Sequence, residues 1–397
     1  MKELTLIVYE MLEDSVNPIG LLQEYISMTY SPCFDEVGSF TLTIPFSKDN
    51  FDLVSRANNR EKLILLDTVT YKKTKKNIVG ICHKITCSES PTTSKITIKG
   101  QLASGLLENS VVKSVNVLPT TDDRGKDKYV NLQALVDHTI KSNQTKTWWS
   151  GVSFKIASSS DATWELNDGF QILRCSFEEF LESACKTCDK GFEVVLNQTT
   201  NKMDLNLLSS KDRSINQNSI SPVLISAKLG SLYSSEFSMN SQDYKNVIYA
   251  YATFTYNNEE KTMEAVVVYD EAGSLDNIPT AEIRAAIEDV EIEQTDDMTL
   301  YDVQLATRRA GKQKLYEHNF VKSYECKINE DSTSFKFGED YFLGDTVTVY
   351  DEVLGLQIDA QLREYTVTYN SSGQSFEPTF GFSQPTLNRI LKQKGVI

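Results

Sequence analysis

No apolar run in this 397-residue sequence approaches the roughly 18 residues that a membrane-spanning helix needs, so no span is expected. Only three histidines are present, His83, His138 and His318, and no two share an H-x-x-x-H spacing. They read as surface or internally satisfied side chains rather than metal ligands. The signatures that cradle phosphates or raise a nucleophile, G-x-x-x-x-G-K-[ST], G-x-G-x-x-G and G-x-S-x-G, are all missing. Basic residues are in deficit, 40 Lys and Arg against 55 Asp and Glu, which gives a formal charge of -15. The densest basic cluster, Lys72, Lys73, Lys75 and Lys76, is interrupted by Thr74. Such a chain is repelled by a phosphate backbone, so sequence-specific nucleic-acid binding is not expected. The first twelve residues place Glu3 and Glu10 in or beside their apolar stretch and lack a small-residue cleavage site, so they do not read as a secretory signal. Seven cysteines, an odd number without such a signal, point to reduced thiols made in a cytoplasm.

What is present is an acidic, foldable chain, 40% hydrophobic and 24% charged, long enough for about two to four domains. Two-residue alternation dominates its start. Phe40, Leu42 and Ile44 face one side of a strand that Pro45 ends. Further β-rich runs at 63–66, 78–85 and 96–99 are separated by polar turns at 72–77 and 88–94. Helical spacing follows at 130–142 and at 177–188. The second stretch sets Phe177, Phe180, Leu181, Ala184, Cys185 and Cys188 on one stripe, with Ser176 and Glu179 as a capping box and Gly191 as a stop. A hairpin is expected from 192–196 and 203–208. From Tyr244 strands return, and alternate residues apolar on both sides (Val247, Ile248, Tyr249, Ala250) indicate burial of both faces. Helical propensity then covers 281–290 and 299–317, with Leu300, Val303, Ala306 and Ala310 along one face. The chain closes with strands at 325–328, 334–337, 345–350, 358–368 and 376–382, punctuated by the turn residues Gly344 and Gly355.

Chemistry-bearing clusters are sparse. Cys185 and Cys188 form a C-x-x-C inside a helix, not at a helix start where a redox pair sits, and Cys82 and Cys87 would face opposite sides of a strand. No metal set and no cofactor is therefore expected. Glu178 with Glu179, and Asp296 with Asp297, are adjacent and splay apart on a helix, which suits solvated faces better than a glycosidase pair. Trp148 and Trp149 are a candidate glycan platform, with a core residue beside an edge residue as the plainer alternative. No catalytic constellation emerges, so an enzyme is not expected.

A weak internal echo links the two β regions. Strand, polar turn, strand, polar turn, strand runs from 63 to 100 and again from 346 to 381, which suggests a duplicated unit, with two independent β domains as the alternative.

The stretch from Tyr30 to Pro45, with its acidic Gly-x-Phe signature at Gly38 and Phe40, resembles the N-terminal domain of the siphophage tail hub and baseplate hub family. So do 50–54 and the strand-turn-strand that ends at Leu107. Leu343 to Val349, residues 355–360, the strand to Tyr369 and 376–382 are similar to that family's closing strands, and 244–249 to its central strand. The resemblance implies an α+β, mainly β fold with two similar antiparallel β-barrel hub domains, an inserted α+β domain and a small helical insertion in the second barrel. On this chain the first barrel would be 1–112, the inserted domain 113–229, the second barrel 230–262 with 320–382, and the small helical domain 263–319 with 383–397. Gly38, Phe40, Leu42, Ile44, Gly344, Asp345, Val347 and Val349 are the positions that carry the signature. The implied role is a virion protein of the tail tip or baseplate, made in the host cytoplasm. It would form a homotrimer whose pseudo-sixfold ring joins a sixfold tail tube to a threefold tip. Implied partners are further copies of the chain, the tail tube or distal tail protein, a tip or fibre protein, the tape-measure protein, and genomic DNA that passes without specific binding. No membrane insertion is implied. The alternatives are a carbohydrate- or receptor-binding tail protein involved in host attachment, and a cell-wall hydrolase with its site in 113–229.

Overall fold

The computed structural model describes residues 4–12, 15–55, 62–71, 74–89, 94–109, 111–117, 120–122, 126–128, 130–131, 165–166, 170–188, 190–230, 232–242, 244–268, 283–292, 294, 298–318, 321–328 and 334–381. Strands dominate them, and contacts divide the chain into two units. The first holds 1–236 with 324–388, the second 237–323 with 389–397.

The first unit opens with β1 (Leu6–Met11), β2 (Val16–Leu22), β3 (Ser27–Ser31) and β4 (Ser39–Pro45). The alternation in β4 does what its pattern requires, since Phe40, Leu42 and Ile44 are buried while Ser39 is exposed. Ser47 caps α1 (Lys48–Val54) by accepting from the Asn50 amide. Then come β5 (Lys62–Tyr71), β6 (Thr74–Ile81), β7 (Lys84–Glu89) and β8 (Ser94–Gln101), followed by a 3-10 turn at Ala103–Asn109. The run at 78–85, expected as one strand, breaks at Cys82 and His83. There Cys82 N donates to Lys62 O and His83 N to Lys99 O, so the chain passes from one sheet to the other.

Short strands follow: β9 (Val111–Val117), β10 (Thr120–Asp122), β11 (Lys126–Lys128), β12 (Val130–Asn131), β13 (Glu165–Leu166) and β14 (Phe170–Ser176). The helix expected at 130–142, His138 and the pair Trp148 and Trp149 lie outside the described residues. The helix α2 (Phe177–Cys188) forms as its pattern dictates. The Ser176 hydroxyl accepts from the Glu179 amide at 3.1 Å, and the Glu179 carboxylate accepts from the Ser176 amide at 2.9 Å. Phe177, Phe180, Leu181, Ala184 and Cys185 are buried. The hairpin β15 (Lys190–Asn197) and β16 (Lys202–Ser209) follows. Gly191 is no helix stop. It lies within β15, where a β-carbon would fall 2.2 Å from the Phe34 carbonyl oxygen. The apolar sides of α2, β15 and β16 share one core with Tyr9, Leu63, Leu65, Val79 and Ile81, so this part of 113–229 folds on the first β region.

Next are β17 (Asp212–Arg213), β18 (Leu224–Ser226) and β19 (Leu232–Asn240), and the chain enters the second unit within β19. There β20 (Val247–Tyr256) pairs with β21 (Glu259–Val268) around a tight turn in which Asn257 and Asn258 adopt φ of 53° and 62°. A third strand, β22 (Ala285–Asp289), runs parallel to β20. The sequence favours a helix at 281–290. In the fold, the open edge of β20 captures the segment instead: Val290 N donates to Tyr251 O and Asn246 N to Arg284 O, contacts that override the local helix propensity.

The helix α3 (Leu300–Glu317) starts at Thr299, whose capping box with Asp302 is complete. Its buried line is Val303, Thr307, Gly311 and Leu315: Val303 is buried as expected, the line then shifts by one residue from Ala306 and Ala310, and Leu300 is exposed. Gly311 sets the rotation, because a β-carbon there would lie 2.8 Å from Ala250 Cβ, so the helix lies close against β20 and β21. Thr307 satisfies its buried hydroxyl by donating to Val303 O.

The chain returns through β23 (Val321–Ile328), then β24 (Thr346–Asp351), β25 (Leu356–Asn370) and β26 (Gly373–Gly381). No strand forms at 334–337. Bends and a turn take its place, with Phe337 making an isolated bridge to Tyr341.

Two main sheets hold most strands of the first unit. One has the order β2-β1-β5-β6. The other holds eleven strands in the order β19-β23-β26-β25-β3-β4-β8-β7, with β24 beside β25 and with β17 and β18 parallel to β24. Residues near the two ends of the sequence therefore share one sheet, through β3 against β25. The two echoing segments differ in pairing. β5 and β6 are neighbours in one sheet and β8 lies in the other, whereas β24, β25 and β26 are consecutive neighbours.

Candidate functional site

The signature segments converge where β25 changes partners. Its first half pairs with β24 and its last residues with β3, and a register irregularity falls between Leu362 and Glu364. At this crossing Gly344 N donates to Leu362 O, Leu362 N to Asp345 O, and Phe34 N to Arg363 O, all at 2.8–2.9 Å. Phe34 fills the space between. It is 1% exposed and lies against both Gly344, at φ +92°, and Gly191. Phe192 N donates to the Phe34 carbonyl, which ties β15 to the same point.

Asp345 is the polar centre of the junction. Its carboxylate accepts from Arg213 Nε at 2.6 Å, from the Lys211 amide at 3.0 Å and from the Phe342 amide at 3.1 Å. Burial pushes this carboxyl up, and the Arg213 guanidinium pulls it back down. Asp35, paired with Arg363 at 3.2 Å, shows the same opposition. A third buried carboxylate, Asp67, accepts from the hydroxyls of Tyr30 (2.9 Å) and Tyr369 (2.6 Å), one tyrosine from each side of the β3–β25 pairing. Tyr71 and Tyr365 join their hydroxyls at 3.0 Å, and burial raises both phenols.

Gly38 lets the chain approach Ser31 O, 2.2 Å from where a β-carbon would stand, and Phe40 covers Gly80. Leu42, Ile44, Val347 and Val349 are buried. The structure thus brings Gly344 and Asp345 to the crossing, while Gly38 to Ile44 line the neighbouring strand. Sequence reasoning passed over Phe34, Arg213 and Asp67. Phe34 was legible only as part of the stretch from Tyr30 to Pro45, because the glycines that receive it are distant in sequence.

Nothing in this arrangement activates a nucleophile. Burial drives the Cys33 thiol up, and the Cys175 thiol up to about 11, away from thiolate. Cys82 is buried and Cys87 exposed. His83 is exposed beside Gln101, and His318 contacts Glu288. Among the described residues no group of three or more His, Cys, Asp or Glu is placed to hold a metal ion. A cleft of about 220 Å³ is lined by Tyr71, Lys76, Glu193, Leu207, Phe342 and Leu343, and its Lys76 and Glu193 pair with each other.

The surface is more informative. Ile19 and Leu21 on the edge strand β2 are exposed, as are Ile26, Phe46 and Phe51, and α1 packs on β2 where Gly20 meets Leu53.

The model of the family described as Siphovirus ReqiPepy6 Gp37-like protein matches residues 8–382. The chain belongs to that family. No curated protein matches the sequence. Among solved structures, the 43 kDa tail protein of prophage MuSo2 from Shewanella oneidensis is 12% identical, with 96% of this chain and 99% of that one covered and a TM-score of 0.51. A tail protein from Neisseria meningitidis MC58 is 10% identical, with 96% and 97% covered and a TM-score of 0.52. The fold is that of phage tail proteins.

Proposed function

We propose that this siphovirus-family chain is a structural hub of the tail tip or baseplate, which forms a threefold ring between the tail tube and the tip and lets DNA pass. The observation that carries the reading is family membership together with a fold shared with two tail proteins over nearly their whole length. In this reading each copy offers its two β regions to a sixfold tube, so three copies supply six contacts. The open edge at β2, with Ile19, Leu21 and Phe51, supports contact with the next copy.

Partners in the virion are the tail tube or distal tail protein, a tip or fibre protein and the tape-measure protein. The formal charge of -15 suits a channel that does not retain DNA. The role involves no catalysis and no cofactor, a reading supported by the raised Cys33 and Cys175 thiols and by dispersed histidines. Native mass spectrometry across a concentration series tests it. The expected species is a trimer, lost in an Ile19→Asp, Leu21→Asp variant that keeps the wild-type melting temperature. A chain that remains monomeric in solution and is absent from purified tails contradicts the reading.

A further inference from the structure

The acidic surplus is concentrated in one place. Between Glu259 and Asp302 the sequence has fourteen Asp or Glu and two basic residues, Lys261 and Arg284, a net charge of -12 against -15 for the whole chain. This segment supplies β21, β22 and the start of α3. The helix covers one face of the three-stranded sheet, through Gly311 against Ala250 and Val267. Residues opposite one another in a sheet point to the same side, so the register defines the other face.

On that face Tyr249 stands between Val266 and Ile287, which are 43% and 73% exposed. In the next row Tyr251 stands between Glu264 and Asp289. Glu260, opposite Thr255, extends the acidic side. Both basic residues of the segment are turned elsewhere. Lys261 lies opposite Phe254 and over the Tyr256 ring, and Arg284 donates to Ser241 O. The face is therefore an apolar row beside an acidic one, with no basic side chain among its described residues.

We propose that this face docks a different protein of the assembled tail, one whose contacting surface sets Lys and Arg around an apolar centre. Charge decides the occupant. A second copy would bring another acidic chain, and nucleic acid or an anionic membrane would be repelled, whereas a basic surface is steered in. The apolar row, Tyr249, Val266 and Ile287, supplies the buried centre and the carboxylates a rim.

The inference rests on the tail reading, and the test separates the two. The full-length chain with a photo-crosslinking residue in place of Ile287, or of Val266, is supplied during phage growth, and purified tails are irradiated and analysed by mass spectrometry. The expected adduct is to another tail protein, within a segment of net positive charge. Glu264→Lys with Asp289→Lys should lower incorporation about tenfold, equivalent to ~1.4 kcal/mol, with an unchanged melting temperature. Lys or Arg to Glu changes in the crosslinked segment should restore it. Adducts to a second copy or to DNA, no adduct from either site in tails that contain the chain, or normal incorporation of the double variant would overturn the proposal. Absence of the wild-type chain from tails would overturn the tail reading itself, and this surface with it.

Discussion

The ring of Phe34 lies so close over Gly344 that a β-carbon at residue 344 would stand 2.1 Å from its Cε2. The two residues come from the two segments that carry the family signature, more than three hundred positions apart, and each requires the other. Gly344 also holds φ at +92°, a conformation that costs an L-residue roughly 1–2 kcal/mol, and overpacking costs about 1–3 kcal/mol more. Gly344→Ala should therefore destabilise the protein by roughly 2–5 kcal/mol in denaturant titration. Gly355→Ala is the control. Its φ of +64° is strained but no atom lies within 4 Å of the added carbon, so only about 1–2 kcal/mol should be lost. Equal losses at the two sites would refute a steric role for Phe34.

Asp345 and Arg213 should behave as a coupled pair. Removing one partner strands a buried charge, so Asp345→Ala and Arg213→Ala should each cost about 3–5 kcal/mol, and the double variant clearly less than their sum. A thermodynamic cycle with strictly additive losses would show that the junction does not depend on the pair.

Much of this was legible in the sequence, wherever the determinant is local. The alternation of Phe40, Leu42 and Ile44, the Ser176–Glu179 cap and the turn at Gly344 each depend on a few neighbouring residues. What was not legible depends on distant partners. The segment 285–289 has helix-forming composition, yet β20 offers it an edge. The buried line of α3 is set by the fit of Gly311 against Ala250, which no periodicity encodes. Gly191 read as a helix stop because glycine often is one, while its actual constraint is the Phe34 carbonyl. The pairing of β3 with β25 joins residues whose patterns are compatible with many other strands.

Glu178 should give stability a pH dependence. It sits in the first turn of α2, and its Oε2 is buried without a hydrogen-bond partner. Burial, then Glu182, Glu108 and Glu179, push its carboxyl up to about 7. An unfolded glutamate titrates near ~4.3. A raised folded-state value means that its contribution is fully present below that unfolded value and is lost as pH rises through about 7. Its partial exposure moderates the effect. Across pH 5 to 8 the melting temperature should thus fall further for the wild type than for Glu178→Gln. Parallel pH profiles would contradict this.

The most direct test of the hub reading is the copy number and symmetry of this chain in tails purified from the phage that encodes it, by cryo-electron microscopy with quantitative mass spectrometry. The account predicts three copies in a closed threefold ring at the tip end of the tube, with the crossing of Phe34 and Gly344 intact in each. Density for a different number of copies, or placement of the chain away from the tip end, would contradict it.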